Sequence, residues 1–161
     1  MRVFVPATLP LLERWRAARL IDAPTGFAVT PALREWYAAG DTEELEYTAL
    51  THAAMASITL LAADGAAPAR RVVVAADAQG AVPEAANGRS AVRLASPLGF
   101  GTVAAVHVDD PEAEPVVRAA AAAVGAADAG DPDAEFAMDE AAALELSWYV
   151  SQEIPDLLLG S

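Results

Sequence analysis

The order in which strand and helix signals follow one another limits this chain to few architectures. Runs rich in β-branched and aromatic residues predict strands near residues 2–6, 26–30, 71–76, 91–95 and 102–108. Apolar periodicity and capping residues predict helices near 8–20, 30–40, 41–63, 110–124 and 138–153. The resulting order, β-α-β-α-α-β-β-β-α-α, lacks the strict alternation of a doubly wound α/β fold. It predicts an α+β fold, in which a mixed sheet of about five strands is packed by about five helices.

Composition excludes several kinds of catalytic site. The chain has no cysteine and no lysine, and all ten of its cationic side chains are arginine. A thiolate nucleophile, a Schiff-base lysine, a cysteine-rich zinc site and a disulfide framework are therefore excluded. Only two histidines are present. We predict no cofactor and no metal.

Length and charge restrict the partners. The 161 residues suit a single domain spanning 1–161, and the formal net charge is −13. Such a surface repels phosphate backbones and anionic lipid headgroups, so nucleic acid and membrane are not expected partners. The first residues lack the apolar core of a signal peptide, and no run reaches the roughly 20 apolar residues that span a bilayer. The expectation is a soluble cytoplasmic protein.

The predicted long helix, residues 41–63, carries the first candidate site residue, His52. One apolar stripe at helical spacing should face the sheet; its members are Tyr47, Leu50, Ala54, Ile58 and Leu61. His52 falls on the opposite face with small uncharged neighbours, so a second layer, a partner subunit or a ligand should cover that face. His52 is then either an acid/base or ligand-binding residue, or a hydrogen-bonded histidine at a helix contact.

His107 and Asp109 form the second candidate, at the end of a predicted strand. Residues two apart share a strand face, so both side chains can point the same way and offer two ligands to a divalent metal. Two ligands do not make a metal site, and the spacing supplies no third. Asp110 precedes Pro111 and is predicted to cap the following helix.

The last third of the chain is rich in apolar side chains. The helix predicted near 138–153 is apolar around most of its circumference, so it is either central or at a subunit interface. The residues 155–161 form an apolar tail that should dock on the body or on a neighbour. Two Trp-Tyr pairs, Trp36-Tyr37 and Trp148-Tyr149, are expected in helices and in the core. Residues 96–101 predict a hairpin turn whose glycines need positive φ.

Three segments together resemble a small uncharacterised family of actinobacterial proteins. They are the opening Met-Arg-Val-Phe-Val-Pro-Ala-Thr, the stretch Phe27-Ala28-Val29-Thr30-Pro31-Ala32-Leu33, and the ending Trp148-Tyr149-Val150-Ser151-Gln152-Glu153-Ile154-Pro155. The resemblance covers nearly the whole chain and implies a GC-rich, cytoplasmic bacterial origin. It transfers no activity, cofactor or catalytic residue.

Two functional hypotheses follow. The preferred one is a non-catalytic protein that acts through protein–protein contact or self-association, as a homodimer or in a larger assembly. The alternative is a small enzyme or ligand-binding protein whose pocket joins His52 or His107 to nearby carboxylates. In that case Arg2, Arg71 or Arg93 would bind an anionic ligand. A concave site would favour the alternative, and a flat apolar surface would favour protein contact.

Overall fold

The computed structural model describes residues 1–160. Over this range the chain forms six α-helices and nine strands, which confirms the predicted α+β class. The strands are β1 Arg2–Ala7, β2 Leu20–Ile21, β3 Thr25–Ala28, β4 Val72–Asp77, β5 Ala81–Pro83, β6 Ala91–Leu94, β7 Leu98–Gly99, β8 Val103–Val108 and β9 Ser147–Tyr149. The helices are α1 Leu9–Ala18, α2 Pro31–Trp36, α3 Thr42–Ala63, α4 Glu114–Asp128, α5 Pro132–Ala142 and α6 Ile154–Leu159.

The main sheet is larger than predicted and antiparallel rather than mixed. Within residues 1–160 it has seven strands in the order β5-β6-β3-β1-β4-β8-β9, and β2 pairs with β7 in a separate two-stranded sheet. The additional strands are only two or three residues long and carry little sequence signal. The mixed-sheet prediction was wrong because the chain begins β3 near the end of β1, so that Phe27 pairs with Phe4 and the following Ala28 pairs with the preceding Val3. β3 therefore enters beside β1 in the opposite direction.

Strand alternation divides the apolar side chains between two layers of core. On one face of the sheet, Val3 and Val5 pack with Leu12 and Trp15 of α1 and with Ile154. On the other face, the buried residues of the sheet meet the N-terminal half of α3; they are Phe4, Val73, Ala75 and Ala105. Helices α4 and α5 cover the C-terminal half of α3, so helices flank the sheet on both sides.

Helix α3 confirms the long helix predicted from residue 41. Asp41 caps it, because the Asp41 carboxylate accepts a 2.8 Å hydrogen bond from the Glu44 amide. Its buried face differs from the predicted stripe and consists of Leu45, Ala49, Ala53, Ala54, Ser57, Ile58 and Leu61. Tyr47, placed in the stripe by the sequence, is exposed instead. The helix has two packing partners in succession, the sheet and then α4 with α5, so no single stripe describes it.

The hairpin predicted at residues 96–101 is absent. β6 and β8 belong to the same sheet but lie on opposite sides of β3, β1 and β4. The connection between them contains β7, which pairs with β2. Gly99 has φ −64°, and Gly101 is not among the residues with positive φ. Non-local pairing has therefore overridden a local turn signal.

The helix predicted near 138–153 is also wrong. α5 ends at Ala142, and β9 follows as the edge strand beyond β8. Leu144, Leu146, Trp148 and Val150 are apolar at every second position, which is the period of a strand rather than a helix. Within the predicted tail 155–161, the described part lies mostly in α6, where Leu157 and Leu158 pack partly against the core.

Candidate functional site

A cleft of about 340 Å³ opens where α2, α3 and the loop before β6 meet. Its lining residues are Phe27, Leu33, Trp36, Tyr37, His52, Asn87, Gly88, Arg89 and Ser90. The volume lies in the usual range for small-molecule sites, and the lining combines aromatic faces with a few polar groups. One of the two histidines singled out in the sequence therefore does lie beside a concavity.

The segment 88–90 is anchored from two sides. The Thr30 hydroxyl donates a hydrogen bond to the Arg89 carbonyl, and the same hydroxyl accepts one from the Leu33 amide at the start of α2. The Ala28 amide donates to the Ser90 carbonyl at 2.8 Å. Gly88 has φ +130°, a conformation that side chains with a Cβ rarely adopt. These contacts fix the backbone that carries Arg89 and Ser90 into the cleft.

His52 is the only titratable imidazole of this cleft. Its Nδ1 lies 2.6 Å from the Ser90 Oγ, and its ring meets Phe27 edge-on with 6.3 Å between centroids. Part of the ring is buried by these neighbours, and this desolvation lowers the pKa of His52 below its ordinary value of 6.5. Burial therefore favours the neutral form of the ring. The prediction that this face of α3 is covered is wrong, because His52 and Thr59 on it are exposed; Phe27 and Ser90 only contact the ring of His52.

Arg89 supplies the positive charge of the cleft. Its guanidinium carbon lies 3.5 Å from the centroid of the Trp36 ring, a cation–π stack. Among residues 1–160 the ion pairs are Arg2 with Asp77, Arg71 with Asp109, and Arg93 with Glu84, and none includes Arg89. The three arginines proposed from sequence as anion ligands are thus already paired with carboxylates. A stacked guanidinium leaves its N–H edge free to donate to a ligand.

The candidates His52, His107 and Asp109 do not meet in one site. His107 lies on β8, opposite Val73 on one side and Trp148 on the other. His52 contacts β3, which is separated from β8 by β1 and β4, or about 14 Å at the usual strand spacing. Partial burial lowers the pKa of His107 as well. A pocket that joins the two histidines is excluded by this strand order.

Asp109 forms a buried ion pair with Arg71. Its two carboxylate oxygens accept hydrogen bonds from Nε and Nη2 of Arg71, each at 2.8 Å, and both side chains are almost fully buried at 0% and 1% exposure. The Arg71 amide donates to the same carboxylate, and Arg70 Nε donates to the Asp109 carbonyl. This carboxylate is fully engaged, so it is not available to form a metal site with His107. Within the described chain no three His, Asp or Glu side chains cluster as metal ligands.

Asp110 does not use its side chain as the predicted helix cap. Its carboxylate accepts a 2.6 Å hydrogen bond from the Ser147 hydroxyl, which ties the start of β9 to the end of β8. The segment after it begins as a 3₁₀ turn over Pro111–Ala113 before α4 starts at Glu114. The hydrogen bond with Ser147, which is distant in sequence, takes the place of the predicted hydrogen bond to the start of the helix.

The His52–Ser90 pair differs from a nucleophilic serine site. Ser90 is only 1% exposed, so its Oγ cannot approach a substrate carbonyl without a rearrangement. No carboxylate of the described residues hydrogen-bonds to His52 to orient the ring. The pair instead holds the imidazole in place, with Nε2 as the ring nitrogen that is free of Ser90.

Sequence reasoning found His52 but missed Arg89, Ser90 and the exposure of Trp36. The expectation that Trp36 lies in the core is wrong, since 60% of its surface is exposed. Arg89 is distant from Trp36 and His52 in sequence, and the segment around it reads only as a loop. The one available signal was Thr30-Pro31, which placed the start of α2 correctly, although the helix ends at Trp36 rather than at the predicted Gly40.

A described family matches this chain over nearly its whole length. Residues 1–158 match a family of unknown function, DUF6912. The chain belongs to that family. The match confirms the resemblance to a family without an assigned activity, and it gives this DUF6912 protein no catalytic residue. No curated protein and no solved structure matches it. Among its described helices, none combines the length and apolar character needed to cross a membrane.

Proposed function

We propose that this DUF6912 protein binds a small planar organic anion in the His52 cleft and performs no covalent chemistry on it. The observation that carries the proposal is the Arg89 guanidinium, stacked on Trp36 at the cleft and free of any carboxylate partner. Acidic residues outnumber cationic ones by 23 to 10 in this chain. Because Arg89 has no carboxylate partner in a protein with this excess of acidic residues, its guanidinium can bind an anionic ligand.

The remaining lining supports a planar ligand. Trp36 and Tyr37 present exposed aromatic surface, and Phe27 closes the inner wall. Asn87 and the free ring nitrogen of His52 supply polar groups that orient a ligand without adding charge. Because the segment that carries Arg89 is anchored by its backbone, little side-chain and loop ordering is needed on binding.

The first test is calorimetric titration with benzoate and phenyl phosphate, with benzamide as the uncharged comparison. Both anions should bind and benzamide should bind at least about tenfold more weakly, because a charge-assisted hydrogen bond contributes about 1.5–3 kcal/mol. Arg89→Met should weaken the binding of the anions by a similar factor. Arg34→Met is the matched control, since Arg34 lies on α2 but does not line the cleft. Equal affinity for benzamide and benzoate, or binding of neither anion, would contradict the proposal.

Self-association is the second candidate function, and it rests on the β9 edge of the sheet. β9 pairs only with β8, and Trp148 on it is 60% exposed. An open strand with an exposed aromatic side chain can pair with a second copy. The apolar helix that first suggested an interface does not exist, so the edge strand is the stronger argument.

Sedimentation velocity tests this second candidate over a hundredfold range of concentration, on the order of 1 to 100 μM. A dimer that Trp148→Glu converts to a monomer would support it. Phe136→Glu is the control, because Phe136 is a 64% exposed aromatic residue on α5, outside the edge strand. A monomer throughout, or equal disruption by the control, would rule out association through β9.

The proposal extends to the cellular location of the protein, its source organism and the absence of a nucleic acid partner. A cysteine-free chain has no disulfide that needs an oxidising compartment, which is compatible with the cytoplasm. The abundance of alanine and the exclusive use of arginine support an origin in a GC-rich bacterium such as an actinobacterium. The net charge of −13 supports the absence of a nucleic acid partner.

A further inference from the structure

A second, smaller cleft lies between α3 and the segment that joins α5 to β9. Its volume is about 80 Å³, the space of two or three water molecules. Its lining residues are Tyr47, Leu50, Thr51, Ala54, Arg71, Ala142, Leu144, Glu145 and Leu146. None of them lines the His52 cleft. The two concavities are therefore separate.

The buried guanidinium of Arg71 is the cationic group of this cleft. Nε and Nη2 donate to Asp109, and Nη2 also donates to the Leu144 carbonyl at 3.1 Å. Nη1 donates to no group of the described residues. Every fully buried side-chain nitrogen or oxygen among those residues has a hydrogen-bond partner. Nη1 is therefore not fully buried, and since Arg71 lines the cleft, this nitrogen opens into it.

The remaining lining restricts what can accept from Nη1. Asp109 already neutralises Arg71, and Glu145 adds a negative charge at the exposed rim, where its carboxylate accepts a hydrogen bond from the Tyr47 hydroxyl. A ligand with a net negative charge is disfavoured there, and a simple cation offers no acceptor to Nη1. We propose that the cleft binds a small zwitterion of the size of glycine, whose carboxylate accepts from Arg71 Nη1 and whose ammonium group faces Glu145.

Four matched probes test each end of the ligand separately: glycine, acetamide, acetate and methylammonium. Binding is followed by NMR through the side-chain resonances of Arg71 and the amides of Thr51 and Leu146. We expect glycine to bind most tightly and acetamide at least about tenfold more weakly, because it lacks the ammonium group and carries an uncharged amide in place of the carboxylate. The other two should not bind at millimolar concentration. Equal shifts with all four probes, or none with glycine, would overturn the proposal.

Two variants check that the shifts come from this cleft. Ala142→Leu should fill it from an exposed wall position and abolish glycine binding, whereas Ala143→Leu, at the exposed neighbouring position outside the lining, should leave binding unchanged. Glu145→Gln should weaken glycine by up to about fivefold, the range of an exposed ion pair, and leave acetamide unaffected. Loss of glycine binding in Ala143→Leu, or equal loss of both probes in Glu145→Gln, would contradict the assigned contacts.

Discussion

Replacing Asp109 with alanine is expected to lower the free energy of unfolding by about 3–5 kcal/mol, the usual cost of leaving one member of a buried ion pair alone. The Arg71 guanidinium would lose both oxygens of its bidentate partner while its side chain stays buried. The Arg71 amide would lose its acceptor as well. Total stabilities of small domains are about 5–15 kcal/mol, so this one substitution removes a large share. Urea denaturation measures the change.

Two further variants make this prediction specific. Asp110→Ala is the matched control, because the neighbouring carboxylate is exposed and accepts only from Ser147; its cost should stay below about 1 kcal/mol. The double variant Arg71→Met with Asp109→Leu removes both charges and should recover most of the lost stability. If Asp109→Ala alone does not fold, Asp109→Asn preserves the shape and should still be less stable than the wild type. An Asp109→Ala protein within 1 kcal/mol of the wild type would refute the role assigned to the pair.

Ser57→Ala is expected to have the second largest effect, on the order of 3 kcal/mol, because two buried backbone groups would lose their partner. The Ser57 hydroxyl, in the C-terminal half of α3, donates to the Ala7 carbonyl at 2.7 Å and accepts from the Val72 amide at 3.2 Å. These two groups belong to paired residues at one end of the β1–β4 ladder. One side chain therefore joins the helix to both central strands.

Thr59→Ala provides the comparison on the same helix. Thr59 is exposed, so its removal should change the unfolding free energy by no more than about 0.5 kcal/mol. The same denaturation experiment reports on both variants. Equal stability of Ser57→Ala and Thr59→Ala would show that the hydroxyl bridge does not stabilise the contact between α3 and the sheet.

Local signals predicted the fold where local chemistry decides it. Asp41 and Thr30-Pro31 cap their helices as expected, and the valine-rich run beginning at Val72 is a central strand. The predictions were wrong where pairing with residues distant in sequence determines the secondary structure. Residues 144–150 were assigned to a helix although their apolar residues alternate, and only pairing with β8 stabilises so short a strand. Residues 96–101 predict a hairpin turn because their own sequence carries no signal of the pairing between β7 and β2.

In the candidate site too, the residue marked by its local sequence was predicted and the residues brought there by strand pairing were not. His52 was identifiable because it is the one titratable group near neutral pH on a charge-free helix face. Its partners were not, since Ser90 and Arg89 follow a featureless loop and reach the cleft only through the antiparallel pairing of β6 with β3. The pairing of Arg71 with Asp109 likewise depends on β4 lying beside β8. Ion pairs between strands of unknown order cannot be read from one sequence.

The measurement that tests the central claim most directly is an NMR titration with benzoate, observed at the histidine rings and at Arg89. The chain has only two histidines, so His107 serves as an internal reference, distant from the cleft by three strand spacings. We predict that the His52 and Arg89 resonances shift together and saturate at a single Kd, while those of His107 stay fixed. Unchanged His52 and Arg89 signals, or an equal shift of His107, would contradict a ligand site in this cleft.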